Sequence, residues 1–177
     1  MQSLTIGLFG AALALASSSV LAHAGHQHES GGGDGHACHA PVQRSTTAEN
    51  ASAPEDVTVS DCWIRALPNR LPAAAYFRIS NTGEQNVVLR GAEAQGFSKV
   101  MLHGHDESGG MARMTHVEAV TVGAGQQFEF APRGHHVMLE QADFDLEIGS
   151  QRPLTLWFEG DKALTVQCEV KAPGTLK

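Results

Sequence analysis

Between Val57 and Val170 the chain is written in short runs of alternating apolar and polar residues, each closed by a turn signal. No stretch of useful length keeps a helical period. Alternation with period two is what a strand with one buried face requires, because successive side chains point to opposite sides of a sheet. Val57–Val59 alternates. Tyr76–Ser80 reads as a strand and runs into the turn-forming Asn81–Gly83. Val87–Leu89 is a further candidate, and Gln127–Phe130 is entered from Gly123–Gly125. Leu154–Phe158 and Ala163–Val170 flank Glu159–Lys162, which reads as a hairpin turn. Val100–His105 and His136–Glu140 alternate most strongly. Seven or more short strands with frequent turns predict an all-β domain, either a β-sandwich or a Greek-key β-barrel.

The flanks are different. Ile6–Ala16 is an apolar run followed by small residues, with cleavage positions near Ala22 and Ala24. It predicts a cleaved signal peptide over residues 1–22 and export to the periplasm. The run is too short to span a membrane, which takes about 20 apolar residues. Residues 23–54 are rich in Gly, Ser, Ala and Thr and hold almost no large apolar side chain, so they predict a flexible segment with no core of its own. The folded domain is expected over residues 55–172, with a short tail at 173–177. The net charge of −7, with no cluster of basic residues, argues against a nucleic-acid partner.

Export implies an oxidising compartment in which disulfides persist. The cysteines are Cys38, Cys62 and Cys168, so at least one has no partner within the chain. Cys168 is in phase with Leu164, Val166 and Val170 and is expected to face the core. Cys62 lies in the first strand of the domain. A Cys62–Cys168 disulfide and a pair of buried free thiols both fit the sequence, because free Cys packs well as a small apolar side chain.

Strand periodicity also sorts the potential metal ligands. In Val100–His105, Val100 and Leu102 share one face, while Met101, His103 and His105 share the other. In His136–Glu140, Val137 and Leu139 suit the core, and His136, Met138 and Glu140 point away from it. Met111 and Met114 lie between these two strands. Any one of these side chains alone is most simply structural, since Met fills gaps and scattered surface His needs no explanation. Two strands that each set His and Met on a non-core face point instead to a soft metal. Thioethers suit Cu(I), and they need no deprotonation. Structural zinc prefers Cys, His and carboxylate. A blue-copper electron-transfer site needs a Cys ligand with His, and Cys168 has no His or Met after it.

The spacing carries a resemblance. His103 is followed by ten residues and Met114, and twenty-one residues later come His136, Val137 and Met138. This segment resembles the periplasmic copper chaperone family PCuAC, whose signature is His, ten residues, Met, twenty-one residues, His, any residue, Met. Val57–Arg65, Asn81–Gly83 and Pro132–Leu139 also resemble the family, so the likeness spans roughly Val57 to Val170. It implies a cupredoxin-like fold and an exposed Cu(I) site with His103, Met114, His136 and Met138 as ligands. It implies delivery of copper to a periplasmic or membrane-anchored acceptor, either a cytochrome c oxidase subunit with its CuA centre or another copper chaperone. His105, Met111, His116 and His135 are additional to the motif. His135 faces opposite to His136 in an extended strand, His105 shares the face of His103, and His116 is a candidate second-sphere or Cu(II) ligand.

His23, His26, His28, His36 and His39 crowd the N-terminal segment beside Cys38. Imidazoles suit Cu(II) and Zn(II), so this arm is a candidate for metal capture, including Cu(II). A solvated linker with incidental His is the plainer reading. The expectation is a monomeric binding and transfer protein, neither an enzyme nor membrane-spanning. The competing reading is a copper storage or resistance protein that buffers copper through its His-rich arm. No nucleophile–base pair supports a catalytic role.

Overall fold

The computed structural model describes residues 46–106 and 113–177. The signal segment and every histidine of the N-terminal arm lie outside the described residues, as does Met111. Among the described residues ten strands form, and the only helical element is a single 3-10 turn at Pro68–Arg70. The strands are β1 (Val57–Arg65), β2 (Ala73–Asn81), β3 (Val87–Ala94), β4 (Phe97–Asp106) and β5 (Arg113–His116). They continue as β6 (Val120–Val122), β7 (Gln127–Phe130), β8 (His136–Ala142), β9 (Gln151–Phe158) and β10 (Lys162–Lys171).

The strands hydrogen-bond in the order β5-β4-β8-β2-β1-β10-β9-β3-β6, with β7 also paired to β2. Only β1 and β10 run parallel; the other pairings are antiparallel. The path does not close, and the fold is a cupredoxin-like β-sandwich. Of the two architectures the alternation allowed, the closed barrel is the one not realised.

One core fills the sandwich. Ile64, Ala75, Phe77, Ile79, Leu89, Leu102, Val137, Leu139, Leu154 and Leu156 are all part of it, and Phe77 stacks on Phe130 with ring centroids 4.4 Å apart. Val137 and Leu139 are fully buried, as the alternation of β8 requires. The β9–β10 hairpin pairs Lys162 with Phe158 around the anticipated turn. β5 is exposed along all four residues and β6 has only three, so neither leaves a legible period.

A bulge in β1 decides what lies on the outer face. Ser60 pairs with Arg78 and Trp63 with Tyr76, so two residues of β1 face one of β2. Asp61 occupies the left-handed region at φ 55°, and its carboxylate accepts a hydrogen bond from Arg78 at 2.7 Å. The extra residue reverses the alternation. Val57 and Val59 face the core before it, and Cys62 and Ile64 face the core after it. Trp63 is thereby turned outward, where it joins Ala74 and Tyr76 in a second, smaller cluster on the opposite side of the sheet.

The same reversal aims Cys62 at β10. Cys62 and Cys168 form a disulfide, with Cα atoms 4.5 Å apart and a sequence separation of 106. It staples the parallel β1–β10 pair, and Cys168 is fully buried. The pairing left open by the sequence is thus resolved in favour of the bond.

Candidate metal centre

The outer face of β2, β8, β4 and β5 carries the soft ligands in register. His103 of β4 lies directly opposite His136 of β8, and Met101 lies directly opposite Met138. On the other side of β4, His103 is opposite His116 and His105 is opposite Met114. On the other side of β8, Met138 is opposite Ala74 of β2. The His103 and His136 rings are 5.5 Å apart by centroid and inclined at 76°. His103 and His116 are 6.4 Å apart.

The histidines are held in different ways. The turn between β7 and β8 is closed by Gly134 N–H donating to the Ala131 carbonyl at 2.9 Å and Ala131 N–H donating to the His135 carbonyl at 2.9 Å. This turn aims the Gly134 carbonyl back at His136, whose Nδ1 donates to it at 3.0 Å. A carbonyl can only accept, so the proton is on Nδ1 and the Nε2 lone pair is free, as a metal-binding imidazole requires. His136 is 6% exposed. Tyr76 packs beside it at 6.3 Å between centroids, and the Met114 side chain touches it. His103 is half-buried, and its Nδ1 is buried with no hydrogen-bond partner.

Both rings are held neutral. Burial pushes the His103 pKa down, and the neighbouring His136, His116 and Lys99 add to this, while Glu140 opposes it. Burial likewise pushes His136 down, with Arg65, His135 and His105 in the same direction and the Gly134 hydrogen bond opposed. A neutral imidazole is the ligand form. Burial also pushes the Tyr76 hydroxyl up, against the nearby Arg65, so it stays protonated.

The thioethers differ in access. Met138 is half-buried, whereas Met114 is 63% exposed on the edge strand β5. The exposure implied by the PCuAC resemblance is therefore uneven. His136 is shielded beside Tyr76 and His103 is half-buried, and the cluster opens to solvent at Met114. Among the described residues no three His, Cys, Asp or Glu side chains gather into a metal cage. An ion held here would need the thioethers, which selects a soft ion over zinc.

The other histidines separate cleanly. His135 lies on the opposite face, edge-on to Phe128 at 5.0 Å, and its Nε2 would sit 3.2 Å from a Cβ placed on Gly104. His116 is exposed at the end of β5, and His105 is half-buried. Sequence reasoning assigned no role to Tyr76, which the β2–β8 register brings against His136. Met101 was set on the right face, but only the β4–β8 register sets it opposite Met138.

Beside His136 an aromatic pair lies on the outer face. Trp63 and Tyr76 are 4.5 Å apart, Arg65 lies over the Tyr76 ring at 5.2 Å, and Lys171 lies over Trp63 at 5.5 Å. Cation–π contacts of this kind favour positive charge at the ring faces.

Residues 57–170 match a family model described as "Putative lipoprotein LpqE-like". A relative in Leifsonia xyli subsp. xyli (strain CTCB07), described as "Putative lipoprotein Lxx21020", is 29% identical over 138 residues, covering 77% of this chain and 81% of its own. Among solved structures, the apo PCuAC domain of PmoF2 matches with a TM-score of 0.58 at 23% identity, over 68% of this chain and 94% of that one. Apo-DR1885 from Deinococcus radiodurans matches with a TM-score of 0.56 at 31% identity, over 77% and 94%. The Cu(I) form of the same protein matches with a TM-score of 0.55 at 29% identity, over 70% and 83%.

Proposed function

The chain belongs to the LpqE-like family, and from that premise we propose that it is an exported copper chaperone, with His103, Met114, His136 and Met138 as its Cu(I) ligands. Structural homology to PCuAC domains and to DR1885 is consistent with a copper-binding, non-enzymatic role. The observation that carries the proposal is the facing His103–His136 pair. One of its rings has Nε2 freed by the Gly134 hydrogen bond, the other has an unpartnered buried nitrogen, and both are held neutral. Met138 lies two residues beyond His136 on the same face, and Met114 touches His136.

This donor set fits Cu(I) as cargo. Two neutral imidazoles and two thioethers add no charge, so desolvation of the site is not burdened by buried anions. Thioethers are not lost to disulfides in an oxidising compartment, although they can oxidise to sulfoxides. Release then proceeds by ligand exchange. An acceptor approaching the open edge meets Met114 first, because its side chain is the exposed one. The copper stays Cu(I) throughout, and each donor the acceptor supplies takes the place of one donor of the chaperone.

The acceptor in this proposal is the CuA centre of a cytochrome c oxidase subunit. The site of action is the periplasm, and the lipoprotein description of the family agrees with export. The test is transfer. Anaerobic mixing of the Cu(I)-loaded protein with a soluble apo CuA domain, under conditions that let that domain develop its CuA spectrum, should produce that spectrum at a rate above the copper–chelator control. If copper stays with the chain and more than one equivalent is retained, buffering through the His-rich arm is the better account.

A further inference from the structure

The four motif residues do not sit on one pair of strands. His103, His136 and Met138 lie on β4 and β8, but Met114 lies on β5, opposite His105. Within the β4–β8 pair a different thioether completes the block. Met101 is two residues before His103 on the same face and directly opposite Met138. Directly opposed residues in an antiparallel pair hold their Cβ atoms about 4.5–5.5 Å apart, and the diagonal neighbours about 7–8 Å, within reach of long side chains. Met101, His103, His136 and Met138 are therefore a compact two-by-two block of two imidazoles and two thioethers.

Three observations bear on whether this is more than packing. Met101 and Met138 are both half-buried, so neither belongs to the sealed core nor to the freely solvated surface. The block ends at the Lys99–Glu140 ion pair, 2.9 Å long, the next opposed pair along the same face. On its β2 flank Met138 faces only the small Ala74, so among its in-register neighbours Met101 is the one side chain with a soft donor.

Taking the Cu(I) site proposed above as given, we propose that Met101 is a reserve thioether ligand, which takes the fourth position on copper when Met114 leaves it. The two donors divide the work by location. Met114 stands exposed on the edge strand, where an acceptor can displace it. Met101 stands on the inner pair of strands, where it keeps the ion four-coordinate while the acceptor engages. The exchange involves no electron or proton transfer: one Cu–S bond breaks and another forms.

The test uses the full exported chain labelled with 13C at the methionine methyl groups, titrated anaerobically with one equivalent of Cu(I). Cu(I) is diamagnetic, so each methyl signal reports its own sulfur. Met→Leu changes conserve volume and are tolerated. In the native protein the Met114 and Met138 signals should move. In Met114→Leu the Met101 and Met138 signals should move, with a loss of Cu(I) affinity of about tenfold, and adding Met101→Leu should cost at least about tenfold more. Met101 unmoved in Met114→Leu, Met111 moving in its place, or no further affinity loss in the double variant would overturn the proposal while leaving the Cu(I) site standing. No methyl moving in the native protein would overturn that site as well.

Discussion

His103 and His136 face each other across the β4–β8 pair with ring centroids 5.5 Å apart and planes inclined at 76°. Two imidazoles this close, each with a nitrogen free of protein partners, would repel if both were charged. The fold favours the neutral form of both by burial on the outer face, with Tyr76 and Met114 against His136.

This neutrality has a pH signature. Both pKa values lie below the ordinary 6.5 of an imidazole, so the folded chain favours the unprotonated form. The linked stability is fully present above pH 6.5 and is lost as the pH falls through the lowered folded values. Copper competes with the same protons. Cu(I) affinity should therefore stay level as the pH drops to 6.5 and fall only below the lowered values. An NMR titration of the apo protein checks the origin: the His103 and His136 ring signals should titrate below 6.5. Titration above that value would contradict the account.

Gly104 separates His103 from His105 on β4. A Cβ there would lie 2.9 Å from Val117 Cγ2 and 3.2 Å from His135 Nε2. Gly104→Ala should force β4 away from the turn before β8, destabilising the domain by about 1–3 kcal/mol. It should also weaken Cu(I) binding, because the His103–His136 register depends on that strand. Urea unfolding with a parallel Cu(I) titration measures both. An unchanged midpoint would show that the space is not as tight as the backbone implies.

The Cys62–Cys168 disulfide closes a long loop between the first and last strands. Reduction should cost about 2–4 kcal/mol of stability in the apo protein, read as a lower urea midpoint with thiols alkylated after unfolding. The ligand cluster is on β4, β5 and β8, so the reduced protein that remains folded should bind Cu(I) as before. A loss of copper binding in folded, reduced protein would mean that β1 controls the site.

Much of this was legible in the sequence. Alternation put Val137 and Leu139 in the core and His136 and Met138 on the other face, because a strand with one buried side leaves its period in the chain. The same rule set His135 apart from His136. What alternation cannot supply is register. It put Met101 and His103 on one face without saying that Met101 would stand opposite Met138. The bulge at Asp61 was equally hidden, since one extra residue in β1 reverses the phase and sends Trp63 outward. Tyr76 reaches His136 through the β2–β8 register, which alternation cannot supply either, and the Cys62–Cys168 pairing depends on the bulge. β5 escaped notice because all four of its residues are exposed, so no apolar alternation marks it. The outer face also misled on exposure: a side chain that points away from the core is not thereby solvated, and His136 is covered by a second layer that only the folded sheet assembles.

The proposed site holds one Cu(I) between the imidazoles and thioethers of β4, β5 and β8. Its most direct test is an anaerobic Cu(I) competition titration against a chromophoric chelator, with the native protein and the Met114→Leu, Met138→Leu double variant run together. The account predicts one tightly bound Cu(I) in the native protein and a loss of affinity of at least about a hundredfold in the variant. Equal binding by both proteins would contradict it and would move the copper elsewhere in the chain.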